Sequence, residues 1–302
     1  LKTDFRLNKM LKIGASLFAN QRKQNSYMTD TGGFTNPVYY SRMANPYFEP
    51  YDDEGHYNYD VNVQGRENEA PDFNIFEERY NTSKQRKDRS VMAIFDAELK
   101  FNQHLKLTSQ YGLQHDNYTL TRYAGNDSYA MRKAKAYATY MIDGERKTIF
   151  PEGGMNKNTE GHTDQWTWKA MLEWNQRFAE KHDVELMGGT EGRHVESKFL
   201  TSTAYGYDAR TLTTQPVLFP TESIGQRYPL YEEAHQENAY VSWFATGSYT
   251  YNHRYTLGSS VRFDGSDVFG VAKKYRYLPL YSFSGLWRVG EEKFMGNAKW
   301  LD

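Results

Sequence analysis

The sequence predicts an all-β fold: part of a large antiparallel β-barrel that crosses a membrane, with about nine strands in this chain. Three observations carry that reading. Apolar and polar residues alternate with a period of two along much of the chain. The alternating segments reach ~10 residues or more, long for a soluble sheet and suited to a tilted spanning strand. Their connections are by turns very short and very long, as in a barrel with tight turns on one rim and long loops on the other. A soluble antiparallel sandwich shares the first feature but not the other two.

Each element has its own evidence. The opening LKTDFRLNKML reads as the second half of a strand, and the closing KFMGNAKWLD stops before a strand that the pattern demands. The expectation is therefore an interior fragment. Leu11, Ile13, Ala15, Leu17 and Ala19 alternate with Lys12, Gly14, Ser16 and Asn20, predicting a strand over 11–21. Val91, Ala93, Phe95, Ala97, Leu99 and Phe101 mark 91–101, and Leu105, Leu107, Tyr111 and Leu113 mark 105–117. The clearest case is 165–177. Trp166, Trp168, Ala170, Leu172 and Trp174 share one face, and Gln165, Thr167, Lys169, Glu173 and Asn175 the other. Helical spacing would scatter the tryptophans around an axis. Similar patterns predict strands at 184–198, 238–251 and 255–265.

Short connections fall at 8–10, 102–104, 179–183 and 252–254, and should share one rim. Long ones fall at roughly 22–90, 122–163, 202–235 and 266–276. Aromatics cluster at strand ends, among them Phe5, Phe101, Phe178, Tyr255 and Trp287, as interfacial girdles do. A mid-membrane Lys or Arg on the lipid face costs ~2–4 kcal/mol, whereas one in a wet lumen stays hydrated. The apolar row of 165–177 should therefore meet lipid. Lys169, Glu173, Arg262 and Asp264 are the lumen-facing candidates.

Composition narrows the function. The 302 residues carry 37 Lys+Arg and 38 Asp+Glu, so 37 − 38 = −1, and no basic field invites nucleic acid. No Cys is present, which excludes disulfides, thiolate zinc ligands and a thiol nucleophile. A mean hydropathy of −0.85 and the lack of any run of ~18 apolar residues exclude a transmembrane helix but not a barrel. No metalloprotease, hydrolase-elbow or P-loop motif occurs, and the eight His show no ligand spacing. No catalytic, cofactor or metal site is expected. Asp52-Asp53-Glu54-Gly55 lacks the alternation of a calcium loop, and Asp264-Gly265-Ser266-Asp267 reads as a bend at a strand's outer end. In the first long loop Tyr39, Tyr40, Tyr47, Phe48 and Tyr51 stand among Asn and Pro. They could grip a sugar or peptide, dock a partner, or pack the loop on itself.

The segment Ser260–Asp302 resembles the SusC/RagA family of TonB-dependent outer-membrane transporters of Bacteroidetes. The residues that carry the resemblance are Arg262-x-Asp264-Gly265-Ser266-x-x-Phe269-Gly270, Arg276-Tyr277, Pro279 with Ser282-x-Ser284, Trp287-Arg288-Val289, Glu292-x-Phe294-Met295 and Trp300-Leu301. Arg6–Phe18, RLNKMLKIGASLF, looks like that family's strand–turn–strand at a periplasmic turn. The resemblance implies that residues 1–302 are an interior part of a 22-stranded, plugged barrel in the outer membrane, without its plug or terminal strands. It further implies import of glycan oligomers or peptides, a SusD-like lipoprotein lid, energy from TonB through the plug, and no enzymatic step. A passive porin or adhesin barrel, or a soluble β-rich carbohydrate-binding protein, are the alternatives. The three N-x-[ST] sequons, at Asn81, Asn117 and Asn126, are then read as chance.

Overall fold

The computed structural model describes residues 1–31, 33–60, 72–268 and 277–295. Within them the chain forms β1 (Lys2–Arg6), β2 (Leu11–Ser26), α1 (Pro37–Met43), α2 (Ile75–Asn81), β3 (Thr82–Lys100) and β4 (Leu105–Ala124). These are followed by α3 (Tyr129–Tyr137), the small hairpin β5 (Thr139–Ile142) and β6 (Glu145–Thr148), β7 (Gly154–Phe178) and β8 (His182–Tyr207). Last come α4 (Glu222–Arg227), β9 (Tyr231–Tyr251), β10 (Tyr255–Ser266) and β11 (Tyr277–Trp287). Nine strands make one antiparallel sheet in the order β1-β2-β3-β4-β7-β8-β9-β10-β11, open at both edges.

Sequence neighbours pair throughout, and the tight turns lie together. Asn175 N–H donates to the His104 carbonyl, Asn252 N–H to the Lys181 carbonyl, and Arg288 N–H to the Arg254 carbonyl, tying adjacent turns into one rim. Ala179–Glu180 and Asn252–His253 adopt positive φ at both central positions, the turn whose twist matches a hairpin. The long connections leave from the other rim.

The strands outrun the expectation there. Residues 22–26, 82–90, 122–124, 154–163, 202–207 and 231–235, read from sequence as connection, are strand. On β7 the apolar row from Trp166 to Phe178 spans 178 − 166 = 12 steps, ~40 Å along the strand or about 30 Å once tilted. That matches a membrane band with its girdles. The extension beyond Trp166 is polar on both faces, so no alternation betrays it. The expected connection at 266–276 lies mostly outside the described residues, as do Phe269, Gly270, Arg276, Trp300 and Leu301.

Register fixes the two faces. Lys169 pairs with Gln110 and Glu191, and Trp168 with Tyr111 and Gly192, so one face stays polar and the other apolar across neighbouring strands. The apolar face is bare: Trp166, Trp168, Leu172, Trp243 and Phe263 are all exposed. The buried core lies elsewhere. Ala124 and Tyr205, on the polar face of the strand extensions, pack with Met131, Ala138 and Phe150 from the long connections. The connections thus fold over the polar face as a cap. Ser128 starts α3, its Oγ accepting from Met131 N–H at 3.1 Å. Phe73, Tyr40, Phe34 and Tyr129 meet edge to face with centroids 4.8–5.5 Å apart.

Candidate functional site

The polar face carries the candidate site. Lys169 on β7, Gly189 on β8, Phe244 and Ser242 on β9, and Arg262 and Asp264 on β10 share that face within a few register steps. The Phe244 ring sits between two cations: Lys169 Nζ lies 5.6 Å and Arg262 Cζ 5.7 Å from its centroid. Gly189 makes room for it, since a Cβ there would lie 2.6 Å from the ring. Arg262 is fixed in turn. Its Nε donates to Asp264 Oδ1 at 2.6 Å, its Nη2 donates to Ser242 Oγ at 3.0 Å, and the Ser242 hydroxyl donates to Asp264 at 2.6 Å.

Of the four lumen-facing candidates, Lys169, Arg262 and Asp264 therefore converge around Phe244. Glu173 does not join them; it pairs with Lys106 at 2.9 Å. Lys169 and Glu173 also line a groove of ≈ 630 Å³ on this face with Lys2, Asp4, Lys12 and Asp96. Two further aromatic–cation pairs climb the same face toward the cap. Arg193 lies 4.6 Å from the Tyr240 ring and Arg86 4.5 Å from Tyr118. Tyr118 and Phe199 close over Gly161, 6.1 Å apart. Sequence reasoning missed Phe244 because an apolar residue on the polar face breaks the pattern it relies on. The glycine opposite it was the available signal.

The loop aromatics separate. Tyr40 is buried and its hydroxyl donates to Asp60 at 3.0 Å; burial and that carboxylate raise its pKa. Tyr51 packs on Tyr57 and Phe76. Phe48 is half-buried. Tyr39 and Tyr47 are exposed, Tyr47 at 90%. Glu78 is fully buried, and burial lifts its pKa to about 7 against the N–H groups of Ala130 and Tyr129 at the α3 start. Its Oε2 accepts from Ala130 N–H at 3.3 Å, while Oε1 has no partner. Asp52 and its neighbours form a local turn with His56 rather than a cage. Among the described residues no group of three or more His, Asp or Glu could hold a metal ion.

A nine-stranded antiparallel wall with one bare apolar face and a capped polar face defines an outer-membrane barrel segment. The chain matches no family profile. It is 28% identical over 151 residues to TonB-dependent receptor P26 of Formosa agariphila, covering 49% of this chain and 14% of the relative. It superposes on the RagAB peptide transporter with a TM-score of 0.68 at 19% identity, over 96% of this chain and 30% of that one. The RagAB peptide importer in its "open-open" state gives 0.67 at 18%, over 93% and 28%. The chain spans under a third of the length of each. It has the fold of a SusC/RagA-type TonB-dependent transporter barrel, and its place is the bacterial outer membrane.

Proposed function

We propose that the full-length protein imports peptide or glycan oligomers across the outer membrane, driven by TonB, beneath a SusD-like lipoprotein lid. The observation that carries this is the ladder of aromatic faces beside fixed cations at Phe244, Tyr240 and Tyr118. Such faces stack on sugar rings and apolar side chains, while the flanking Lys and Arg donate hydrogen bonds to carboxylate or hydroxyl oxygens. Lys169, Arg262 and Asp264 act as wall contacts for the passing solute, and Glu173 as a partner of Lys106. The exposed Tyr39 and Tyr47 meet the lid. The RagAB likeness favours peptide as the cargo to test first.

The experiment measures uptake of labelled oligopeptides and of oligosaccharides by cells whose only route is this transporter, with and without TonB. TonB-dependent uptake of either pool is expected. Uptake of both that persists without TonB points to a passive pore and overturns the reading. A Tyr39→Ala/Tyr47→Ala pair should weaken co-purification of a lid and leave barrel insertion intact.

A further inference from the structure

Three cations stand directly opposite one another where the strands pass beside the cap. On the polar face Lys84 of β3 pairs in register with Arg122 of β4, and Arg122 with Lys157 of β7. Like charges facing each other across strands cost stability, so such a row needs counter-charge. The chain supplies less than the row requires. Asp30 Oδ2 meets both Lys84 Nζ at 2.8 Å and Arg122 Nη2 at 3.3 Å, one carboxylate between two cations. The exposed Glu232 of β9 reaches Lys157 only at 3.7 Å. A fourth cation, Arg227 at the end of α4, lines the same pocket and has no ion-pair partner among the described residues. Next down β3, Arg86 and Asp88 balance each other at 2.7 Å. Four cations therefore share two carboxylates, an excess of two positive charges.

Arg122, Lys157 and Arg227 form one wall of a pocket of ≈ 460 Å³, and Met28, Met155 and Tyr205 the apolar wall facing them. Its size is that of small-ligand sites, ~300–1,000 Å³. Both walls are held in place. Strand register spaces Arg122 and Lys157. Tyr205 stacks on Phe150 at 3.8 Å, and the Tyr228 hydroxyl donates to the Tyr137 carbonyl at 3.0 Å, which anchors the chain next to Arg227. A smaller cavity lined by Lys84, Arg86 and Leu120 shares Arg122 with the pocket. Arg86 is the cation over the Tyr118 ring, so the pocket adjoins the cap end of the aromatic–cation ladder.

We propose that this pocket is a subsite for a carboxylate borne by the imported oligomer, an acidic side chain of a peptide or a uronate of a glycan. The proposal rests on the import reading and deepens it by giving the cargo a charge. Arg122 and Arg227 present planar forks that can take both oxygens of a carboxylate, and Lys157 adds a third cation. Arg122 and Lys157 are half-buried, so their field is screened less than that of surface charges. The long contact of Glu232 with Lys157 is the one an entering carboxylate displaces; Asp30 stays with Lys84. A neutral oligomer gains only the apolar wall, and a cationic one meets repulsion.

The test measures binding to the purified full-length transporter in detergent. The peptide probes are N-acetylated, C-amidated alanine pentapeptides with a central glutamate or glutamine. The glycan probes are an oligogalacturonide and its methyl ester. The acidic member of at least one pair should bind roughly 5- to 10-fold more tightly, and the gap should shrink as salt is raised. The pair that shows the gap identifies the source of the carboxylate. An Arg227→Gln/Lys157→Gln double substitution should bring the acidic probe down to the level of its neutral partner. Glu232→Gln, which frees Lys157, should widen the gap; a row that only holds the cap would not respond in this direction. All three positions carry exposed or half-buried polar side chains, and an unheated gel checks that each barrel is folded. Equal binding of acidic and neutral probes in both pairs, or a double substitution that weakens both members alike, overturns the subsite. The import reading is judged separately, by TonB-dependent uptake in cells: uptake that needs TonB but ignores charge overturns the subsite alone. Uptake that persists without TonB overturns the import reading, while a charge preference measured in detergent still supports the subsite.

Discussion

The membrane band and the cap over its polar face are built from one set of strands by opposite means. In the band, β7 exposes Trp166, Trp168 and Leu172 and buries nothing large; its neighbours are ladder hydrogen bonds and, in place, lipid. In the cap, Phe73, Tyr129 and Met131 are all within 1% of complete burial and pack as in a soluble domain. The difference teaches where each region's stability resides. The band depends on which face meets lipid, and the cap on how well its interior is filled. A change that ruins one should spare the other.

The largest expected effect is in the cap. Phe73 contacts Phe34, Tyr40 and Tyr129 at once. Phe73→Ala should cost about 3–5 kcal/mol of local stability. Limited proteolysis should then cut the long connections, while the barrel still migrates as a folded species in the unheated gel assay. Loss of the folded barrel band would mean that cap and wall fold as one unit.

Next comes the band. Ala170 sits mid-row between Ser109 and Thr190 on the apolar face, and Thr167 lies on the polar one. Ala170→Arg should cost ~2–4 kcal/mol and impair assembly, whereas Thr167→Arg should be tolerated. Membrane-fraction yield measures both. Equal damage would show that the faces are assigned inside out.

Glu78 gives the cap a pH dependence. Its folded pKa of about 7 exceeds the ordinary 4.5 because it is buried. Its contribution is fully present below pH 4.5, is lost as pH rises through 7, and is flat above. Protease resistance of the cap should therefore fall between about pH 5 and 7. Glu78→Gln should flatten that profile at a cost of ~1–3 kcal/mol from the imperfectly satisfied buried amide. An unchanged profile would assign the titration to another group.

The same contrast explains what could be read from sequence. The strand cores at 165–177 and 255–265 were legible because lipid on one side and water on the other force alternation on the residues. The outer parts of β7 and β8 were not. NKNTEGHTD at 156–164 is solvated on both faces, so only hydrogen-bond pairing makes it strand. Helix α3 was hidden for a different reason: nine residues with one good cap depend on the tertiary core beneath them. At the site, the parity of Lys169, Glu173, Arg262 and Asp264 was readable from alternation. Their grouping was not. Which cation reaches Phe244, and that Glu173 turns to Lys106, depend on cross-strand register, which a single chain's pattern leaves open.

The smallest stability effect belongs to Phe244, and it separates structure from transport. Its ring touches two cations, each contact worth about 0.5–1 kcal/mol at a partly exposed site. Arg262 keeps Asp264 and Ser242 when the ring is removed, so its position survives. Lys169 loses the face it lies over. Phe244→Leu should thus shift the unfolding temperature of the barrel by little, in line with ~1 kcal/mol or less, yet lower uptake of the transported oligomer. Phe244→Tyr, which preserves the ring face, should restore uptake, whereas a ring needed only to fill space over Gly189 would be replaced equally well by Leu. Uptake that follows the unfolding temperature across the three proteins would make Phe244 a packing residue. Uptake that follows the presence of the ring would make it part of the path.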